Sequence, residues 1–140
     1  MWKGMKYFFM IVSEKDAQIL QIIAKHCDEI IEISRLFGRS KDEFIENYAY
    51  QSSCSMLIQT IGEVVKKLSS DFLDRTPEIP WKDIKRMRNL FAHDYDNSLD
   101  FEIVWDTIEQ NIPSLREVCA HILKENNYEI IRVKPLKFPK

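Results

Sequence analysis

The sequence predicts an all-helical bundle of four to five antiparallel helices, and three observations carry that expectation. Apolar residues recur at three- and four-residue steps, two stretches open on capping-box sequences, and the first alternating apolar run is residues 129–133, too short and isolated for a sheet. Composition agrees: 45% hydrophobic and 30% charged residues with only three Gly and five Pro exclude disordered and low-complexity classes. A chain of 140 residues buries roughly 68–70% of its unfolded surface, so one core without metal or disulfide staples is expected. Residues 1–140 therefore read as a single domain, with 1–12 as an N-terminal extension and 126–140 as a C-terminal tail.

The first helix starts at Ser13-Glu14-Lys15-Asp16, which resembles a capping box, and carries Ile19, Ile22, Ile23, Ile30 and Ile33 as one apolar stripe before Gly38 ends it. Ser40-Lys41-Asp42-Glu43 is a second capping box. It opens a segment of about thirty residues with Tyr50, Cys54, Leu57, Ile61, Val64 and Leu68 on one face and a break expected near Asn47. Residues 71–80, with Pro77 and Pro80, are expected to be a connecting loop. A shorter helix follows from Trp81 to about His93, then a turn-rich run over 94–98. The last helix begins near Asp100 with Val104, Ile108, Leu115, Cys119 and Ile122 on one face, and Pro113, which lacks a backbone donor, should kink or split it.

Charge and cysteine usage narrow the function classes. A net charge of -2 puts no bulk basic field around the molecule, so any nucleic-acid contact must rest on a local patch. Cys27, Cys54 and Cys119 are odd in number and far apart, without a CxxC pair, which suggests neither a disulfide framework nor a zinc site. The apolar run 7–12 is far short of the ~20 residues a membrane span needs, and no small-residue cleavage site follows it. Met5 and Met10 are alternative starts. No cofactor, no metal and a cytoplasmic location are expected.

The segment from Trp81 to Tyr95 carries the chemistry. At 100° per residue Ile84, Met87 and Phe91 face the bundle, while Lys82, Arg86, Asn89 and His93 face away. Lys82, Lys85, Arg86 and Arg88 oppose a single Asp83, a local +3 that by charge alone reads as a solvated face. Arg88 lies at the edge of the apolar stripe, so its stem should be half-buried and its guanidinium held in place. Asn89 and His93 are four apart and adjacent on a helix; Arg88 and His93 are five apart and converge only if the helix ends near His93 or a second subunit completes the site.

Arg88-Asn89-Leu90-Phe91-Ala92-His93-Asp94-Tyr95 resembles the Arg-x4-His-x-Tyr signature of HEPN ribonucleases, in their HepT-like toxin branch. Flanking blocks occur in the family's order: Gln59-Thr60-Ile61-Gly62-Glu63, Pro77-Glu78-Ile79-Pro80-Trp81 and Ile103-Val104-Trp105-Asp106-Thr107-Ile108. The likeness runs from roughly Glu14 to Ile122. It implies a helical homodimer that cuts tRNA or mRNA without a metal ion, as the toxin of a type VII-like toxin–antitoxin pair. The implied partner is a small MNT-type nucleotidyltransferase antitoxin that silences the toxin by adding AMP to the family's Tyr, here Tyr95. Arg88 and His93 are then catalytic, Asn89 supporting, and Lys82, Lys85 and Arg86 guides for the RNA backbone.

Elementary chemistry fits these roles. A histidine that titrates near neutrality can take or give the protons of a 2′-hydroxyl attack, and a fixed guanidinium matches two phosphoryl oxygens. Other residues have plainer readings. His26 on the first stripe is a buried or interface histidine, His121 a solvated one, the cysteines small hydrophobes, and Trp81 and Trp105 core. Glu63, opposite its helix's apolar face, either pairs with Arg88 across the bundle or, the simpler reading, faces water. Two further functions stay open on the residues: a catalytically silent HEPN module that binds the nucleotidyltransferase or a nucleotide, and a generic helical dimerisation domain.

Overall fold

The computed structural model describes residues 10–88 and 100–139. Every regular element among them is helical. Helix α1 (Glu14–Phe37) starts where Ser13 Oγ accepts from the Asp16 N–H at 3.1 Å and ends at Gly38, whose φ of 117° suits glycine alone. The Asp16 carboxylate does not return to Ser13. It is buried and accepts instead from Ser69, at 2.9 Å from the N–H and 2.6 Å from the hydroxyl, tying α1 to a distant turn.

The break at Asn47 occurs as expected. It separates α2 (Lys41–Glu46) from α3 (Tyr48–Val65), because extended Asn47 aims its side-chain oxygen at the Tyr50 N–H, 3.0 Å away, and restarts the helix. The expected loop over 71–80 is corrected: it contains α4 (Ser70–Arg75), nucleated by Ser69 Oγ on the Phe72 N–H and anchored by the fully buried Phe72. Helix α5 (Trp81–Arg86) follows and gives way to a turn at Met87 and Arg88, short of the expected end near His93; residues 89–99, with Phe91 and the turn expected over 94–98, lie outside the described residues. Helix α6 (Phe101–Asp106) is capped by Asp100, as expected. Pro113 splits the last helix as predicted. Before it lies a π-helical turn, Thr107–Asn111, in which the Ile112 N–H reaches back five residues to the Thr107 carbonyl, and α7 (Ile112–Glu125) continues beyond.

Helix α1 packs against both α3 and α7, α3 packs on α5, and α2 bridges α3 and α6. Ile19, Ile23, Ile30 and Ile33 of α1 are buried together with Val104, Ile108, Leu115, Cys119 and Ile122, the face predicted for the last helix. Two stripe assignments shift. Ile22 is 39% exposed, at the rim of the α1 face. On α3, Leu57 and Val64 are only partly buried while Ile58 and Val65 are fully so, because α3 is covered from two directions and its buried arc is correspondingly wide. Trp81 and Trp105 are core residues, and no described helix is long and apolar enough to cross a membrane.

Candidate functional site

Helix α5 has no side-chain cap at its start; Trp81 holds it instead. The indole N–H donates to Thr76 Oγ1 at 2.8 Å and the ring lies against Phe72, 5.8 Å between centroids. Ile84 and Met87 then bury against the bundle, as the periodicity predicted, leaving Lys82 and Arg86 exposed and Lys85 half-buried. Arg86 reaches Asp83 at 3.8 Å, an exposed pair of little energetic weight. These three cations form one solvated surface on a helix of fixed orientation.

The closest approach is made by a glycine. A Cβ at Gly62 would sit 2.9 Å from the Arg88 backbone nitrogen, 3.1 Å from Arg88 Cβ and 3.3 Å from the Ile84 carbonyl oxygen. The backbones of α3 and of the turn after α5 are therefore in near contact, and only a residue without a side chain allows it. That contact sets where Arg88 leaves the bundle. The next residue on α3, Glu63, meets it: Glu63 Oε1 pairs with Arg88 Nε and lies 3.7 Å from Lys66 Nζ. The Arg88 and Glu63 side chains are 41% and 43% exposed, so the ion pair lies at the rim of the bundle. Of the two expectations for Glu63, the pairing with Arg88 is the one found, because the Gly62 contact brings Arg88 within reach, and the side chain still meets water.

A guanidinium has five N–H donors, so a carboxylate oxygen at Nε leaves it able to receive a second, bidentate anion. Arg88 is half-buried, as its position at the stripe's edge predicted. Asn89, His93 and Tyr95 lie outside the described residues, so their geometry relative to Arg88 is not part of the site described here. Gly62 carried no signal beyond its type. A lone glycine in a helix interior costs about 1 kcal/mol against alanine, so its presence asks for a close contact.

The remaining candidates take no part. His26 Nδ1 donates to the Glu29 carboxylate at 2.7 Å and is half-buried on α1, with the satisfied hydrogen bond expected of it, and His121 is half-buried beside an open groove on α7 rather than simply solvated. All three cysteines are buried, as expected of small hydrophobes. Burial pushes the Cys27 thiol well up and those of Cys54 and Cys119 to about 12, which removes them as nucleophiles near neutral pH.

Residues 16–122 match the family described as "Ribonuclease HepT-like", and the chain belongs to that family. It is 31% identical over 106 residues to a "Putative RNase" of Caldanaerobacter subterraneus subsp. tengcongensis, covering 76% of this chain and 92% of that one. It is 33% identical over 90 residues to a "Probable ribonuclease HepT" of Thermococcus cleftensis, covering 63% of this chain and 81% of the relative. A "Putative RNase" of Methanocaldococcus jannaschii is 31% identical over 103 residues, covering 74% and 83%. No solved structure matches the chain.

Proposed function

We propose that this chain is an endoribonuclease that cleaves RNA without a metal ion and serves as the toxin of a toxin–antitoxin pair. The observation that carries the reading is Arg88, seated by the Gly62 contact and held at Nε by Glu63, five residues before His93 in a chain of the HepT-like ribonuclease family. The RNA supplies its own nucleophile. The 2′-hydroxyl attacks the adjacent phosphorus, the P–O5′ bond breaks, and a 2′,3′-cyclic phosphate and a 5′-hydroxyl result. The protein must remove the 2′ proton, deliver one to the leaving 5′ oxygen and stabilise the phosphorane's charge.

His93 takes the proton role, since an imidazole holds either state near neutral pH. Arg88 grips the phosphoryl oxygens, and Asn89 orients the imidazole or holds a phosphate. One histidine cannot be base and acid in the same instant, so a homodimer with two Arg88–His93 pairs across a two-fold axis supplies both. Lys82, Lys85 and Arg86 guide the RNA backbone and make binding salt-dependent. Tyr95 is the switch. An MNT-type nucleotidyltransferase antitoxin moves AMP from ATP to its hydroxyl, releasing pyrophosphate, and the added bulk and negative charge exclude the RNA phosphate.

The test is cleavage of total tRNA and mRNA with EDTA present, using protein made without the nucleotidyltransferase and shown by mass to carry bare Tyr95. Wild type is expected to cut, and His93→Ala to lose about 10²-fold or more of the rate. Folded wild-type protein that leaves both RNAs intact overturns the nuclease reading in favour of a silent module that binds the nucleotidyltransferase or a nucleotide.

A further inference from the structure

Beyond the family match, which ends at Ile122, the chain continues into a tail that follows α1 without regular secondary structure of its own. Gln21 Nε2 donates to the Glu129 carbonyl at 2.8 Å near one end of α1. Arg35 Nη2 donates to the Leu136 carbonyl at 2.9 Å, and the Leu136 N–H donates to Glu32 Oε2 at 2.6 Å near the other. Phe138 closes the path edge-on against Phe37, with 5.7 Å between centroids. From Gln21 to Arg35 a helix rises about 21 Å, within the roughly 25 Å that the seven steps from Glu129 to Leu136 can span, so the tail runs alongside α1 between its pins.

The pins use main-chain groups and one ring. Glu32 and Arg35 are also paired with each other at 2.6 and 2.7 Å, so the Leu136 amide closes onto a preformed ion pair. No tail cation takes part. Arg132, Lys134 and Lys137 are exposed, and none forms an ion pair with a described residue. Residues 129–140 hold four cations against Glu129 in a chain whose net charge is -2. The open groove of about 680 Å³ at the tail's root is a poorer anion site, because its Arg116 is engaged by Asp28 at 3.0 Å and Glu117 at 3.3 Å, and Glu117 and Glu129 line it.

We propose that the pinned tail is a second contact for the phosphodiester backbone of single-stranded RNA. Arg132 and Lys134 are two residues apart, which in extended backbone is roughly 6–7 Å, comparable with the step between successive phosphates of an extended strand. Pinning removes most of the ordering cost that a loose basic tail meets on binding. The arm gives an acidic protein a local positive surface where its bulk field has none. The proposal rests on the RNA-cleaving reading.

The test uses the full chain in the His93→Ala background, so that RNA is bound but not cut, with a fluorescently labelled single-stranded oligoribonucleotide in EDTA over a salt series. Replacing Arg132, Lys134 and Lys137 by Ala is expected to lower affinity about tenfold at low salt and to reduce the slope of log K against log salt by about 2. Glu32→Ala is expected to weaken binding about threefold because it frees the tail, whereas bulk electrostatics predicts a gain when a negative charge is removed. Unchanged affinity and slope in the triple variant, with the parent binding, overturns the arm. Tighter binding by Glu32→Ala overturns the preorganisation. A folded parent that does not bind the oligoribonucleotide overturns the RNA reading itself, and the arm with it.

Discussion

The contact of α1 with α7 and the contact of α3 with α5 are built on different physics. The first is two apolar stripes, with Leu20, Ile23 and Ile30 of α1 and Leu115, Cys119 and Ile122 of α7 all buried in one core. The second depends on a missing side chain at Gly62 and an ion pair at its rim. Apolar stripes tolerate change in proportion to the volume changed. A backbone approach at 2.9 Å tolerates almost none, yet the ion pair beside it adds little stability because both partners meet water. Strength therefore resides in one contact and chemistry in the other.

The largest separation is expected from deleting volume in the core. Leu20→Ala should lose about 2–5 kcal/mol of stability by thermal or urea unfolding, while the RNA-cleavage rate per folded molecule stays near wild type. A parallel fall in specific activity below the unfolding midpoint would erase the distinction between the two contacts. Arg88→Ala should do the reverse: a rate loss of about 10²–10³-fold by gel-based cleavage, with stability changed by less than about 1 kcal/mol.

Gly62→Ala sits between them and sharpens the comparison. Alanine gains about 1 kcal/mol of helix propensity, but its methyl meets the Arg88 backbone, which cannot yield as a flexible side chain would. Overpacking of this kind costs about 1–3 kcal/mol, so a net loss of stability is expected together with at least about a tenfold fall in rate, read by calorimetry and cleavage on the same sample. A stabilised and fully active Gly62→Ala protein would contradict the geometry.

The pH dependence of stability separates the two contacts from the side of the core, through its buried thiols. Burial holds Cys54 and Cys119 at about 12, above the roughly 8.5 of a thiol in an unfolded chain. The native state therefore keeps protons that the unfolded state releases, and stability is full below about pH 8.5 and declines as pH rises, by up to about 1.4 kcal/mol per pH unit for each thiol. Urea midpoints should fall between pH 8 and 10, and replacing Cys54 and Cys119 by Ala should lessen that decline, leaving the share of Cys27. At the acid end, Arg35 and the Leu136 N–H hold the Glu32 carboxyl down to about 2, so the tail pin is present above the ordinary glutamate range and lost as pH falls toward that value. Acid release of the tail is readable as faster proteolysis at its root.

Where the sequence could be read, local physics decided the outcome. Ser13, Ser40 and Asp100 cap helices because their side-chain oxygens reach the next N–H groups, and Asn47 restarts α3 for the same reason. Pro113 splits the last helix because it lacks a donor. Pro77 and Pro80 make residues 71–80 read as loop, yet Ser69 caps α4 there through the same kind of local bond. Arg88 could be picked out as half-buried from its angle on the stripe, whereas its partner could not.

The amino-acid sequence by itself determined that this chain is helical, where most helices begin and end, which faces are apolar, and that Arg88 and His93 stand five apart in a cationic segment. Those properties follow from neighbours within a turn or two. Only the tertiary structure decided that Gly62 is the seat of Arg88, that Glu63 pairs with that arginine, that Asp16 holds Ser69, and that the tail is pinned along α1 through its main chain. Each of these joins residues more than twenty positions apart, and nothing in either segment alone specifies its partner. The pairing emerges when the apolar stripes have packed and set the distances between helices.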